Sequence, residues 1–251
     1  MKQLGDRQAH IWLLFLDDSD EQRLLISSCH TLLDTEERRR WERFRFPGDR
    51  QQYLAGHALL RVALSHYGAV DPRDWRFRSG AYGKPEIAGP TPVPPLRFSL
   101  SHTRGLAACL VASLLDVGLD VEEMRAGTDL WETAGEFLTS QELADCHELP
   151  PELQRGRLYE CWTLKEAYVK GCGRGLSLPL SAIAFRLEPG GSARVSFGPG
   201  IGDVSDRWQF FLSEPSPAHK LAAAIRRGDG RDAQVVQRSL SAGELVAAAR
   251  Q

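Results

Sequence analysis

In the segment Gly118-Leu119-Asp120-Val121-Glu122, two carboxylates stand two residues apart. In a strand that spacing puts Asp120 and Glu122 on one face and Val121 on the other. Side by side, like charges raise each other's proton affinity, and a hard divalent cation with oxygen ligands relieves the repulsion. The same pattern also suits two acids on a solvated strand edge. The segment from Trp162 to Lys170, WTLKEAYVK, reads as helix, with Trp162, Glu166 and Lys170 on one stripe at i, i+4 and i+8. Glu166 and Lys170 there form either the acid and base of a site or an ordinary helix ion pair, worth about 0.3–0.5 kcal/mol.

Two further clusters carry polar chemistry. Ser101 and His102 close the strand-like FSLSH, where they can hold a phosphate or serve the fold alone. Gly83, Lys84 and Pro85 sit in a loop-like YGKP, where glycine permits close backbone approach and Lys84 offers a point charge. GCGRGLSLP at 171–179 lacks the Gly-Lys-Ser/Thr ending of a nucleotide-binding loop and follows a helix, which excludes that reading. DVEEMRAGTDLWE places its oxygen ligands wrongly for a calcium loop.

The elements that must position these residues follow from periodicity. HIWLLFL is an opening strand; Asp34 with Glu37 three residues on starts a helix carrying Arg38, Arg39, Arg40, Arg43 and Arg45. A second helix runs from Pro47 to Gly68 with Tyr53, Gly56, Leu60 and Leu64 at helical spacing. The proline-rich stretch 80–95 reads as loop, followed by strands LRFSLS, GLAACLVAS and VGLDVEE. Thr128 caps TDLWETAGEFL, Thr139 with Glu142 caps TSQELADCHEL, and Pro151 opens the longest helix. Strands AIAFRLE, ARVSFG, RWQFFLS and HKLAAAIR and a short helix AGELVAAARQ complete the chain. GLAACLVA and HKLAAAIR are alike, which hints at two related halves, and the absence of strict βα alternation predicts an α+β fold.

With 42% hydrophobic and 25% charged residues over 251 positions, the chain can bury its own core without disulfides. A net charge of -2 and pI of about 6.4 provide no general field for nucleic acid or an anionic membrane. The six-residue apolar run from Ile11 is too short for a signal peptide or a span, so a cytoplasmic location is expected. Five scattered cysteines, with no CxxC pair, read as reduced and buried.

Taken in order, YGKP, SLSH, GLDVE and WTLKEAYVK with GRGLSLPL resemble the 4'-phosphopantetheinyl transferase superfamily, in its longer, monomeric, Sfp-type branch. The resemblance implies two similar α+β halves, 1–116 and 117–251, with the site in the cleft between them. It implies Asp120, Glu122 and Glu166 as Mg²⁺ ligands and Lys170 as a cation neutralising the pyrophosphate of coenzyme A, with Glu166 or a metal-bound water as base. It further implies Ser101 and His102 on the phosphates, and Gly83, Lys84 and Pro85 over the adenine nucleotide. Lys165 is a second basic contact, and Arg38 and Arg40 lie near the 3'-phosphate. The implied partners are coenzyme A and an apo acyl, peptidyl or polyketide carrier protein. A coenzyme A-binding module without turnover and another Mg²⁺ enzyme, such as a pyrophosphohydrolase, stand as rivals.

Overall fold

The structure is a computed structural model that describes residues 4–17, 19–80, 82–92, 94–125, 130–188 and 190–249. The chain forms two compact units, residues 1–115 with 234–251 and residues 116–233. Residues 234–251 therefore join the first unit, whereas the halves read from the sequence kept them with the second. The physical reason is a strand pairing that the sequence does not advertise.

In the first unit, β1 (Gln8–Phe15) is followed by α1 (Asp20–Ser27), α2 (Thr35–Arg43), α3 (Pro47–Gly68), a hairpin of β2 (Arg76–Ser79) and β3 (Pro85–Gly89), and a second hairpin of β4 (Leu96–Thr103) and β5 (Leu106–Ser113). In the second unit, β6 (Val117–Glu123) leads to α4 (Ala134–Phe137), α5 (Ser140–Glu148), α6 (Pro151–Cys172), the β7 (Ile183–Glu188) and β8 (Ser192–Phe197) hairpin, and the β9 (Trp208–Ser216) and β10 (His219–Arg226) hairpin. Then β11 (Gln234–Leu240) and α7 (Ala242–Ala249) return to the first unit. β11 pairs in parallel with β1, giving the order β11-β1-β5-β4, while the second sheet runs β6-β10-β9-β8-β7.

Each unit thus repeats one order: strand, capped helix, long helix, hairpin, hairpin. Both long helices have 22 residues, open on a proline and end at a left-handed residue, Ala69 and Gly173. α3 packs on β4 and β5, and α6 on β6 and β10. Strands β5 and β10, alike in sequence, are central in their sheets and buried throughout apart from the last residue of β10.

A buried ion pair is repeated as well. In the first unit Asp34 caps α2 in a capping box with Glu37, and Glu37 Oε2 meets Arg61 Nη2 at 2.5 Å. In the second, Thr139 caps α5 in a box with Glu142, and Glu142 Oε2 meets Lys165 Nζ at 2.7 Å. Arg61 and Lys165 are each the fifteenth residue of their helix, and both are 0% exposed. Each also donates to backbone carbonyls beyond the helix, of Pro72 and Trp75 in one case and Leu180 and Ile183 in the other, although Arg61 Nε stays buried with no partner among the described residues. A buried charge survives only when paired and hydrogen-bonded, and both are.

Most elements read from sequence are present, but of the helix TDLWETAGEFL only Ala134–Phe137 is helical, residues 130–133 being turn. Stretch 80–95 is not all loop, since β3 lies within it and pairs with β2. The sequence reading also lacked α1, β2 and β11. The expected Thr128 cap lies outside the described residues. Four cysteines are buried and Cys172 is half-buried, all as free thiols.

Candidate active site

The second unit brings Asp120, Glu122, Glu166 and Lys170 together. Asp120 and Glu122 share one face of β6, as alternation requires, and α6 lies across that face. Gly118 explains how closely the two approach. A Cβ there would stand 1.9 Å from the carbonyl oxygen of Ala167 and 2.3 Å from the nitrogen of Gly171, so only glycine allows backbone to meet backbone. Trp162, Glu166 and Lys170 form one stripe of α6. Lys170 Nζ donates to Asp120 Oδ1 at 2.6 Å, and Trp162 Nε1 donates to Glu122 Oε1 at 3.2 Å.

The environment disfavours negative charge. Burial, reinforced by the Asp120 carboxylate, pushes Glu122 up to about 7, and burial with Asp120 also raises Glu166, while Lys170 pulls both back. Glu166 Oε1 is buried with no hydrogen-bond partner among the described residues. An all-oxygen donor set whose charges repel, with one buried oxygen unused, fits a hard divalent cation. As they stand, no three acids, histidines or cysteines among the described residues close around one point. Mg²⁺ is commonly bound by one or two carboxylates and completes its shell with waters and substrate phosphates.

These raised values set a sign for stability against pH. Glu122 holds its proton more tightly in the folded chain than at its ordinary 4.5, so the folded state carries more protons between about pH 4.5 and 7. Without divalent cations, stability is expected to fall as pH rises through that window, by on the order of 2 kcal/mol after solvent screening. Urea midpoints at pH 5 and pH 7.5 measure the drop. A Glu122→Gln variant that shows the same drop would remove Glu122 as its source.

Lys165 occupies another place from the one the resemblance gave it. It faces α5, wholly buried, with its ammonium on Glu142, Leu180 and Ile183, and so holds no phosphate in this arrangement. Burial pulls its pKa down against the pull of Glu142. Lys220 was not singled out from the sequence. It stands directly across from Glu122 in the β6–β10 register and reaches Glu160 at 3.0 Å and Glu214 at 2.7 Å. A lysine inside the otherwise small and apolar HKLAAAIR was the available signal.

The remaining residues lie in the first unit. Gly83 (φ +81°) and Lys84 form the turn of the β2–β3 hairpin, and Pro85 begins β3. Ser101 and His102 are successive on β4, which turns them to opposite faces. His102 lies against α3, its Cδ2 3.5 Å from where a Cβ of Gly56 would be; Ser101 is buried. Tyr53, one turn before Gly56, stacks on His57 with centroids 4.2 Å apart, and the Arg40 guanidinium lies 5.8 Å from the Tyr53 ring. Arg38 is two positions from Arg40, about 200° around α2, and instead donates to the carbonyl of His30. The two arginines are therefore not brought to one point.

Two family models cover most of the chain: "4'-phosphopantetheinyl transferase superfamily" over residues 116–225, and "4'-phosphopantetheinyl transferase, N-terminal" over residues 20–114. The 4'-phosphopantetheinyl transferase HetI of Nostoc is 32% identical over 76% of this chain and 79% of its own length. The 4'-phosphopantetheinyl transferase Sfp of Bacillus subtilis is 28% identical over 79% and 84%. A holo-(acyl-carrier-protein) synthase from Bacillus anthracis in complex with CoA (3',5'-ADP) aligns with a TM-score of 0.37 at 20% identity, over 44% of this chain and 94% of that one. With these two family models over most of its length and a 32% identical relative covering 76% of it, the chain belongs to the 4'-phosphopantetheinyl transferase family.

Proposed function

We propose that this transferase moves 4'-phosphopantetheine from coenzyme A to a serine of an apo acyl, peptidyl or polyketide carrier protein, releasing 3',5'-ADP, in a magnesium-dependent reaction carried out by a cytoplasmic monomer. The observation that supports it most is the set of Asp120 and Glu122 on β6 facing Glu166 and Lys170 on α6, with Glu122 and Glu166 both raised.

Asp120, Glu122 and Glu166 would hold the cation, which when bound offsets negative charge on the pyrophosphate. The serine hydroxyl attacks the β-phosphorus; the new O–P bond forms as the bond to the leaving 3',5'-ADP oxygen breaks. Lys170, about one-third exposed, supplies a positive charge to the phosphate oxygens. Glu166, or a water at the cation, would take the serine proton from within hydrogen-bond reach. Trp162 holds Glu122 in place through its indole N–H. In the first unit, His102 and Arg40 are the proposed 3'-phosphate contacts, and Lys84 with its neighbours Gly83 and Pro85 the nucleotide contacts.

The test is to incubate the protein with coenzyme A, Mg²⁺ and several apo carriers and weigh the carriers intact. The expected result is one added phosphopantetheine per carrier, lost when the metal is chelated. Release of 3',5'-ADP without any carrier would point to a pyrophosphohydrolase, and no addition to any carrier would sink the proposal.

A further inference from the structure

A second concentration of positive charge lies in the first unit, on residues other than the proposed contacts His102, Arg40, Gly83, Lys84 and Pro85. Three arginines, Arg38 of α2, Arg76 at the start of β2 and Arg73 in the turn before it, line a cavity of about 430 Å³ with Thr31, Asp34 and Thr35. All three guanidiniums are oriented by backbone carbonyls. Arg38 Nη2 donates to His30 O at 3.3 Å, Arg73 Nη2 to Ala249 O at 3.2 Å, and Arg76 Nη1 to Arg73 O at 2.6 Å and Trp75 O at 3.0 Å.

A carbonyl fixes a guanidinium without discharging it. Among the described residues, Arg38 and Arg76 form no ion pair with a carboxylate, and Arg73 has only Asp71, at the loose distance of 3.8 Å. Asp34 also lines the cavity, yet its Oδ1 already accepts the N–H groups of Glu36 and Glu37 and its Oδ2 lies 3.8 Å from Arg61. Three held cations therefore face a space with little opposing charge.

We infer that this cavity is an anion site for a small molecule carrying two or more phosphate groups. Planar guanidinium forks suit phosphate oxygens better than ammonium groups do, and each has donors left after its carbonyl bonds. The cavity lies within the range of about 300–1,000 Å³ typical of small-ligand sites, and so accommodates more than one phosphate. Thr31 and Thr35, each with a hydroxyl able to donate, also line it. It shares no residue with the acid cluster of the second unit, and the inference does not depend on the transferase reading.

The probe is pyrophosphate, titrated calorimetrically without divalent cations into a Lys170→Ala background, which removes the phosphate partner proposed for the second unit. Binding is expected to persist in that background and to weaken about ten- to a hundred-fold when Arg73→Gln or Arg76→Gln is added. Inorganic phosphate should bind less tightly than pyrophosphate. Thermal midpoints check that each variant folds; if Arg76→Gln does not, Arg73→Gln decides alone. Absence of pyrophosphate binding in the Lys170→Ala background, or unchanged affinity in the arginine variants, overturns the inference.

Discussion

Replacing Asp120 or Glu122 by alanine is expected to lower carrier modification by about a hundred- to a thousand-fold, the scale seen when one preorganised electrostatic partner of a transition state is removed. The fold should be kept. Burial and the Asp120 charge lift Glu122 to about 7, so its ionised form is a strained tenant of the apo protein. Removing it relieves repulsion, and Glu122→Ala should match or exceed the wild type in thermal midpoint at pH 7.5 without metal. Asp120→Ala loses the 2.6 Å contact with Lys170, but that ammonium is about one-third exposed and water replaces the partner. Activity assayed with excess Mg²⁺, beside circular dichroism, separates the two effects. Near wild-type transfer at limiting Mg²⁺ in either variant would show that its carboxylate does not serve the cation.

The second large effect is on stability. Lys165→Ala leaves Glu142 buried at 5% exposure with its cation gone, and breaking such a pair from one side costs about 3–5 kcal/mol. Lys165 also ties α6 to the carbonyls of Leu180 and Ile183, and Glu142 Oε1 accepts the N–H of Phe185, so the damage should reach β7. Urea denaturation is the measurement. A phosphate-binding Lys165 would behave otherwise, with weakened coenzyme A affinity and an unchanged midpoint. Arg61→Ala should also destabilise the first unit, but by less, because His57 Nδ1 stays 2.8 Å from Glu37 Oε1.

The acid set was legible because it obeys local rules. Alternation on β6 and the i, i+4, i+8 stripe on α6 are properties of each element alone, and family motifs supplied their mutual facing. Both capping boxes were legible for the same reason. What the sequence hid was long-range. Glu37 and Glu142 looked like cap residues only, because their second role depends on partner residues 24 and 23 positions later. The resemblance made Lys165 a second basic contact in the helix motif, yet its place one residue from Glu166 turns it about 100° around the helix, here into the core. β11 carries Val235 and Val236 among polar residues and is only partly buried, so its pattern is that of a loop until β1 gives it a partner. Likewise β2 and β3 are short and mostly exposed, and their prolines and glycines mask a hairpin.

The parallel pairing of β11 with β1 also bears on the order of synthesis. The second unit is one uninterrupted span, so every strand of its sheet has left the ribosome once Arg226 has. The first unit has no such closure. β1 emerges before every other strand of its sheet, and its outer neighbour follows some two hundred residues later, roughly ten to forty seconds at 5–20 residues per second. During that interval one side of the apolar strand HIWLLF has no mate from its own chain, and an unpaired edge is where nascent chains stick to one another. The first unit is begun before the second and completed after it, so yield should be governed by how the cell shelters β1 during the wait.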